Sequence, residues 1–165
     1  MVVPRFSTIK GFVMVHSVLR TESREETIQQ GEQFAAGLVK GDVVVLSGDL
    51  GTGKTEFVKG ICNYLAVDEM VTSPTFTIIN QYRGTLQNGD AIKVYHADLY
   101  RIESPTELVN IGFDDMLFAH DAIKLVEWPE HAAKHLPDVY WKIELIANDN
   151  EGDVREIHIT RHQSA

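Results

Sequence analysis

Apolar positions along this chain change from a helical to a strand-like period and back. After Ser23-Arg24-Glu25-Glu26, which has capping-box form, Ile28, Gly31, Phe34, Ala35 and Leu38 recur at helical spacing until Gly41, so the segment predicts an amphipathic helix. Residues 43–47 are apolar almost without interruption, the pattern of a strand covered on both faces in a parallel sheet. Residues 54–65 are helix-compatible. Residues 76–83 and 91–97 are strand-like and flank a polar stretch containing Asn88-Gly89, which predicts an antiparallel hairpin. Ser104-Pro105-Thr106-Glu107 starts a short helix, with Pro105 at the first helical position. A buried strand follows at 123–126, a helix at 129–135, and a second hairpin from 140–147 and 154–160 around the turn-rich residues 148–153.

Strands that alternate with helices, with hairpins at the edges, predict an α/β protein: a three-layer sandwich on a mixed sheet, with ligand at the carboxyl ends of the strands. A length of 165 residues suits one domain, which we place at 17–165 behind an N-terminal extension, 1–16. The extension carries Arg5 and Lys10 before Phe12-Val13-Met14-Val15, but this apolar run is too short for a secretory signal, His16 interrupts it, and Met14 is an alternative start.

Composition narrows the functional classes. No apolar stretch approaches the ~20 residues of a membrane-spanning helix, and Cys62 is the single cysteine, which excludes an internal disulfide. A cytoplasmic protein is expected. The net charge of -9, from 24 acidic and 15 basic residues, opposes capture of a polyanion by the chain alone. Any role on nucleic acid would then run through a partner that carries the positive surface.

The strongest chemical signal is Gly48-Asp49-Leu50-Gly51-Thr52-Gly53-Lys54-Thr55, directly after the strand at 43–47. Its glycines let backbone N–H groups turn inward around a polyphosphate, the following helix presents its positive N-terminus, Lys54 reaches the outer phosphates, and Thr55 can ligate a bridging magnesium ion. Turnover also needs acids near the metal. Two predicted strands end in them, Asp98 after Val94-Tyr95-His96-Ala97 and Glu127 after Ile123-Lys124-Leu125-Val126. His96 is read as packing at its strand end, with orientation of Asp98 as the alternative. Ser73-Pro74-Thr75-Phe76-Thr77 is either a proline-rigidified turn or a loop that contacts the terminal phosphate, with Thr75 the first choice for that contact. His131 and His135 stand one helical turn apart, but Ala132 occupies the place of the glutamate that a zinc-protease motif requires. No Gly-x-Ser-x-Gly elbow is present.

The loop, Ser73-Pro74-Thr75-Phe76-Thr77, His96-Ala97-Asp98-Leu99-Tyr100-Arg101 and Val126-Glu127-Trp128-Pro129, in that order and spacing, resemble the TsaE (YjeE) family of bacterial phosphate-loop ATPases. The resemblance implies a magnesium-dependent ATPase that assists threonylcarbamoyladenosine formation at position 37 of tRNAs reading ANN codons. It would act with TsaD and TsaB, meet tRNA only through them, and not itself move the threonylcarbamoyl group. It further implies that ATP and Mg2+ are bound, that Thr55 and Glu127 hold magnesium, that Asp98 is needed for hydrolysis and stands close to the metal, and that residues 73–77 form a switch loop. Trp128 and Glu130, with the helix start at 23–25, would face the nucleotide. Glu56 departs from the small hydroxyl residue common at its position. Hydrolysis by the chain alone would be slow, because an absent arginine finger forfeits about 10³ to 10⁵ in rate unless Arg101 or a partner supplies one. Two other readings are a small-molecule kinase, which lacks an arginine-rich lid here, and a guanine-nucleotide switch, which lacks an Asn-Lys-x-Asp reader.

Overall fold

The apolar run at 43–47 lies in the interior of a sheet. The computed structural model describes residues 5–9 and 12–164, with side chains from His16 onward. Its strands are β1 (Arg5–Ile9), β2 (Phe12–Thr21), β3 (Val43–Ser47), β4 (Ile79–Thr85), β5 (Ala91–Asp98), β6 (Ala122–Glu127), β7 (Val139–Ala147) and β8 (Arg155–Gln163). They form one 8-stranded sheet in the order β1-β2-β8-β7-β3-β6-β5-β4. Strands β7, β3, β6 and β5 run parallel, and the remaining neighbours pair antiparallel.

Helices cover both faces, which explains why β3 and β6 show no polar alternation. Val44 and Leu46 of β3, with Ile123 and Leu125 of β6, pack under α1 (Arg24–Ala35) and α2 (Lys54–Tyr64). Val43, Val45 and Val126 face the opposite layer, built from α3 (Pro105–Asn110), α4 (Phe113–Leu117) and the 3-10 turn Pro129–Ala132. Each fully buried side chain of this size contributes about 1.5–3 kcal/mol of burial, so the two apolar clusters fix which way every strand residue points. The mixed sheet and three layers match the expected architecture.

Five local differences stand beside that match. Strand β4 begins at Ile79, because residues 75–77 form a turn in which Ile78 N–H donates to the Pro74 carbonyl at 2.7 Å and Ile78 takes φ 67°. Turn closure there overrides the strand propensity of Phe76 and Ile78, and Phe76 is left 85% exposed. A second short helix, α4, starts after Gly112, whose φ of 68° breaks α3 from it. Only Pro129–Ala132 of the predicted helix at 129–135 is regular, as a 3-10 turn. The hairpin β7–β8 is not an edge, since β2 pairs with β8 from His16 to Thr21 and β1 pairs with β2 outside it. Strand β2 runs across the 16/17 position at which the extension and the domain divide in the sequence. Residues 1–4, 10 and 11 of that extension lie outside the described residues.

The capping box of α1 is half formed: Ser23 Oγ accepts from Glu26 N–H at 3.1 Å, but Glu26 Oε2 accepts from Glu22 N–H at 2.7 Å, one residue before the cap. Helix α1 then crosses α2 at backbone contact. A Cβ built on Gly60 would meet the Ile28 carbonyl and stand 2.9 Å from Gly31 Cα. That approach, flanked by Phe34 against Phe57 at 5.7 Å, brings the first turn of α1 beside the first turn of α2.

Candidate functional site

The parallel register levels the carboxyl ends of three strands. Leu46 pairs with Glu127, and Glu127 with Asp98, so β3 delivers the glycine-rich loop at the height where β6 and β5 deliver their acids. The loop leaves β3 through Gly48, whose φ of 140° and contacts admit no side chain: a Cβ would meet the Leu145 carbonyl and lie 2.8 Å from Thr52 Oγ1. The turn closes with Thr52, whose N–H and Oγ1 donate to the Asp49 carbonyl at 3.3 and 2.9 Å. Gly53, at φ 100°, caps α2 without a side chain, leaving its first N–H groups for an anion.

Lys54 is 5% exposed. Its Nζ donates to the carbonyls of Gly48 and Asp49 at 2.6 and 2.8 Å and lies 4.4 Å from the Trp128 ring centroid. Burial lowers its pKa, against the opposing pull of Glu127, Asp98, Glu130 and Asp49. Trp128 holds its position at a backbone cost: φ 58° places a bulky residue in the left-handed region, which costs of order 1–3 kcal/mol. Its N–H donates to the Leu46 carbonyl at 3.2 Å, and its ring packs on Tyr100 with centroids 4.9 Å apart.

Glu127 is 3% exposed. Its Oε1 accepts from Thr55 Oγ1 at 3.2 Å and lies 2.8 Å from His96 Nε2. The other ring nitrogen of His96, the buried Nδ1, has no hydrogen-bond partner among the described residues. His96 therefore orients Glu127, not Asp98. Asp98 is held from the other side: Oδ2 accepts from Ser73 Oγ at 2.8 Å and Oδ1 from Tyr100 N–H at 3.0 Å. Ser73 Oγ is in turn 3.1 Å from Thr75 Oγ1, which ties the segment 73–77 to the acid.

A cavity of about 540 Å³ joins these groups. Leu50, Gly51, Thr52, Gly53, Lys54, Thr55 and Glu56 line it from the loop, Thr75 from the turn, and Asp98, Glu127 and Trp128 from the strand ends. Gly48 and Asp49 are absent from the lining, and their carbonyls accept from Lys54 Nζ behind it. Glu130 is exposed on the 3-10 turn and is absent from the lining, although its charge acts on Lys54. Ser23 and Arg24 line the cavity from α1, and Arg101 from beside β5 with its guanidinium 4.7 Å from the Phe76 ring centroid. His131 and His135 form no metal pair: their Nδ1 atoms go separately to the Ile102 carbonyl and to Asp114 Oδ1.

The donor set suits a hard cation. Thr55 Oγ1 and Glu127 Oε1, 3.2 Å apart, are oxygen donors that could hold a cation, with Asp98 lining the same cavity. Magnesium favours such a site, with few protein oxygens and the rest from phosphate and water. The sequence pointed to His96 with the wrong partner and did not point to Arg155. His96 was legible in principle, since His96 and Asp98 share one side of β5 by strand alternation. Arg155 carried no such signal: its Nη2 reaches the Gly51 carbonyl at 3.5 Å from across the sheet.

The three-layer sheet and the loop between β3 and α2 define a P-loop NTPase-like domain. The model of the family "Threonylcarbamoyl adenosine biosynthesis protein TsaE" matches residues 21–157. The chain is 38% identical over 141 residues to the tRNA threonylcarbamoyladenosine biosynthesis protein TsaE of Bacillus subtilis, covering 86% of this chain and 83% of that one. It is 36% identical over 118 residues to the protein of that name from Treponema pallidum, covering 72% and 82%. The crystal structure of Bacillus subtilis YdiB superposes with a TM-score of 0.69 at 33% identity, covering 90% of this chain and 87% of that one. This protein belongs to the TsaE family.

Proposed function

We propose that the chain is a magnesium-dependent ATPase that serves threonylcarbamoyladenosine formation at position 37 of tRNAs reading ANN codons, in the cytoplasm, as an accessory to TsaD and TsaB. One observation carries the reading most directly: the buried Lys54 Nζ rests on two carbonyls of its own loop, where the oxygens of a polyphosphate can replace them. The loop N–H groups and the α2 N-terminus receive the phosphates, Lys54 pairs with the outer ones, and Trp128 covers the ammonium from the side. Thr55 and Glu127 would hold Mg2+, which neutralises charge developing on the transferred phosphoryl group. Asp98 accepts from Ser73 at the cavity wall and can take up a proton or orient water once that hydroxyl moves. Because Ser73 joins Asp98 to Thr75, the loop at 73–77 is coupled to whatever occupies the cavity, which gives a partner protein a surface that reports phosphate state. The acidic chain leaves tRNA to the partners.

Titration of Trp128 fluorescence with Mg·ATP tests binding; Lys54→Ala is expected to weaken it at least about 100-fold, through loss of a charge-assisted contact and of the cation under the ring. Multiple-turnover tRNA modification with TsaB and TsaD tests the role. Glu127→Ala should stop the reaction after roughly one round, and normal yield from that variant would refute the assignment.

A further inference from the structure

We propose that Glu56 anchors Arg24 over the cavity as a phosphate-binding cation, so that the first turn of α1 completes the anion site begun by the loop; this rests on the nucleotide reading above. Glu56 directly follows Thr55, sits in the first turn of α2 and lines the cavity. An unpartnered carboxylate there would repel the anion that Lys54 and the helix N-terminus attract. It is not unpartnered. Its Oε1 accepts from Arg24 Nη2 at 2.8 Å and from Lys59 Nζ at 3.1 Å, and its side chain is 15% exposed. Two cations to one anion leave the trio net positive.

The geometry makes Glu56 the fixed member and Arg24 the presented one. The Arg24 side chain is 69% exposed and also lines the cavity, and its bond to Glu56 engages one arm of the guanidinium, leaving its other N–H groups for phosphate. The glycine crossing of Gly31 on Gly60 sets the distance at which α1 can deliver Arg24 to α2.

The test is a double-mutant cycle on Mg·ATP affinity, read by calorimetry and Trp128 fluorescence at constant salt, with wild type, Arg24→Ala, Glu56→Thr and the double variant. Anchoring predicts that Arg24→Ala weakens binding about tenfold or more in wild type but threefold or less in the Glu56→Thr background. Arg24→Lys, which keeps charge and loses the fork, should fall between. Equal losses in both backgrounds would show plain charge attraction and overturn the proposal, as would an Arg24→Ala variant that binds like wild type. Failure of the wild-type chain to bind Mg·ATP would overturn the nucleotide reading itself, and the proposal with it. Melting curves keep the cycle interpretable, since truncation of an exposed arginine should leave the fold intact.

Discussion

On the proposed magnesium-dependent function, replacing His96 with alanine should weaken magnesium use more than it unfolds the protein. His96 is wholly buried and its Nε2 lies 2.8 Å from Glu127 Oε1, the oxygen that also takes Thr55 Oγ1. A hydrogen bond to a charged acceptor contributes about 1.5–3 kcal/mol, which as a loss of carboxylate positioning corresponds to about 10- to 150-fold in apparent magnesium affinity. Partners of metal ligands generally cost about 10- to 100-fold when removed, so two independent routes reach the same range. Loss of the ring from a packed strand should cost the fold about 2 kcal/mol, or roughly 4–8 °C in melting temperature for a chain of this size. The assay is a magnesium titration at fixed ATP, read as Trp128 fluorescence and as phosphate release. His96→Gln, whose amide can donate to Glu127, should recover part of the affinity; a cavity-only effect would not be rescued this way. A magnesium midpoint within about twofold of wild type in His96→Ala would refute the positioning role.

Other outcomes follow from packing and burial. Gly60→Ala should destabilise by about 1–3 kcal/mol in urea unfolding although alanine is the better helix former, because its Cβ would meet the Ile28 carbonyl and Gly31 Cα; a stabilised variant would refute the backbone contact. Burial pushes the Cys62 thiol up to about 12, so at pH 8 only about one molecule in ten thousand carries thiolate. A disulfide reagent should therefore label Cys62 only on unfolding, and rapid native labelling would contradict its burial. Lys124 is 1% exposed and donates to the carbonyls of Gly41, Ala119 and Ala122, and burial lowers its pKa from 10.5 despite Asp42 and Asp121. The unfolded chain then binds this proton over a range in which the folded chain has lost it, so the group's contribution to stability rises with pH from the folded value to 10.5. The urea midpoint of wild type relative to Lys124→Met should therefore increase as pH rises toward 10.5, and a flat difference would refute the sign.

The sequence by itself determined the parts whose information is local. Glycines at 48 and 53 and the Lys54-Thr55 pair encode a turn and a helix start within eight consecutive residues, and the largely apolar runs at 43–47 and 123–126, the second broken only by Lys124, declare strands covered on both faces. Asp98 and Glu127 were legible as strand-end acids for the same reason. Local pattern misled where turn closure beat propensity, at Phe76 to Ile78, and where a long strand, β2, lay half inside an apparent extension.

Tertiary structure decided which of these parts meet. Only the parallel register β5–β6 places His96 against Glu127, when Asp98 two residues on is its nearer neighbour in sequence. Only the fold brings Ser73 to Asp98, Arg155 to the loop, and Arg24 to Glu56. The physical reason is that period and turn geometry are properties of neighbouring residues, whereas register and close approach arise from burying two faces of one sheet at once, and contacts far apart in sequence set both.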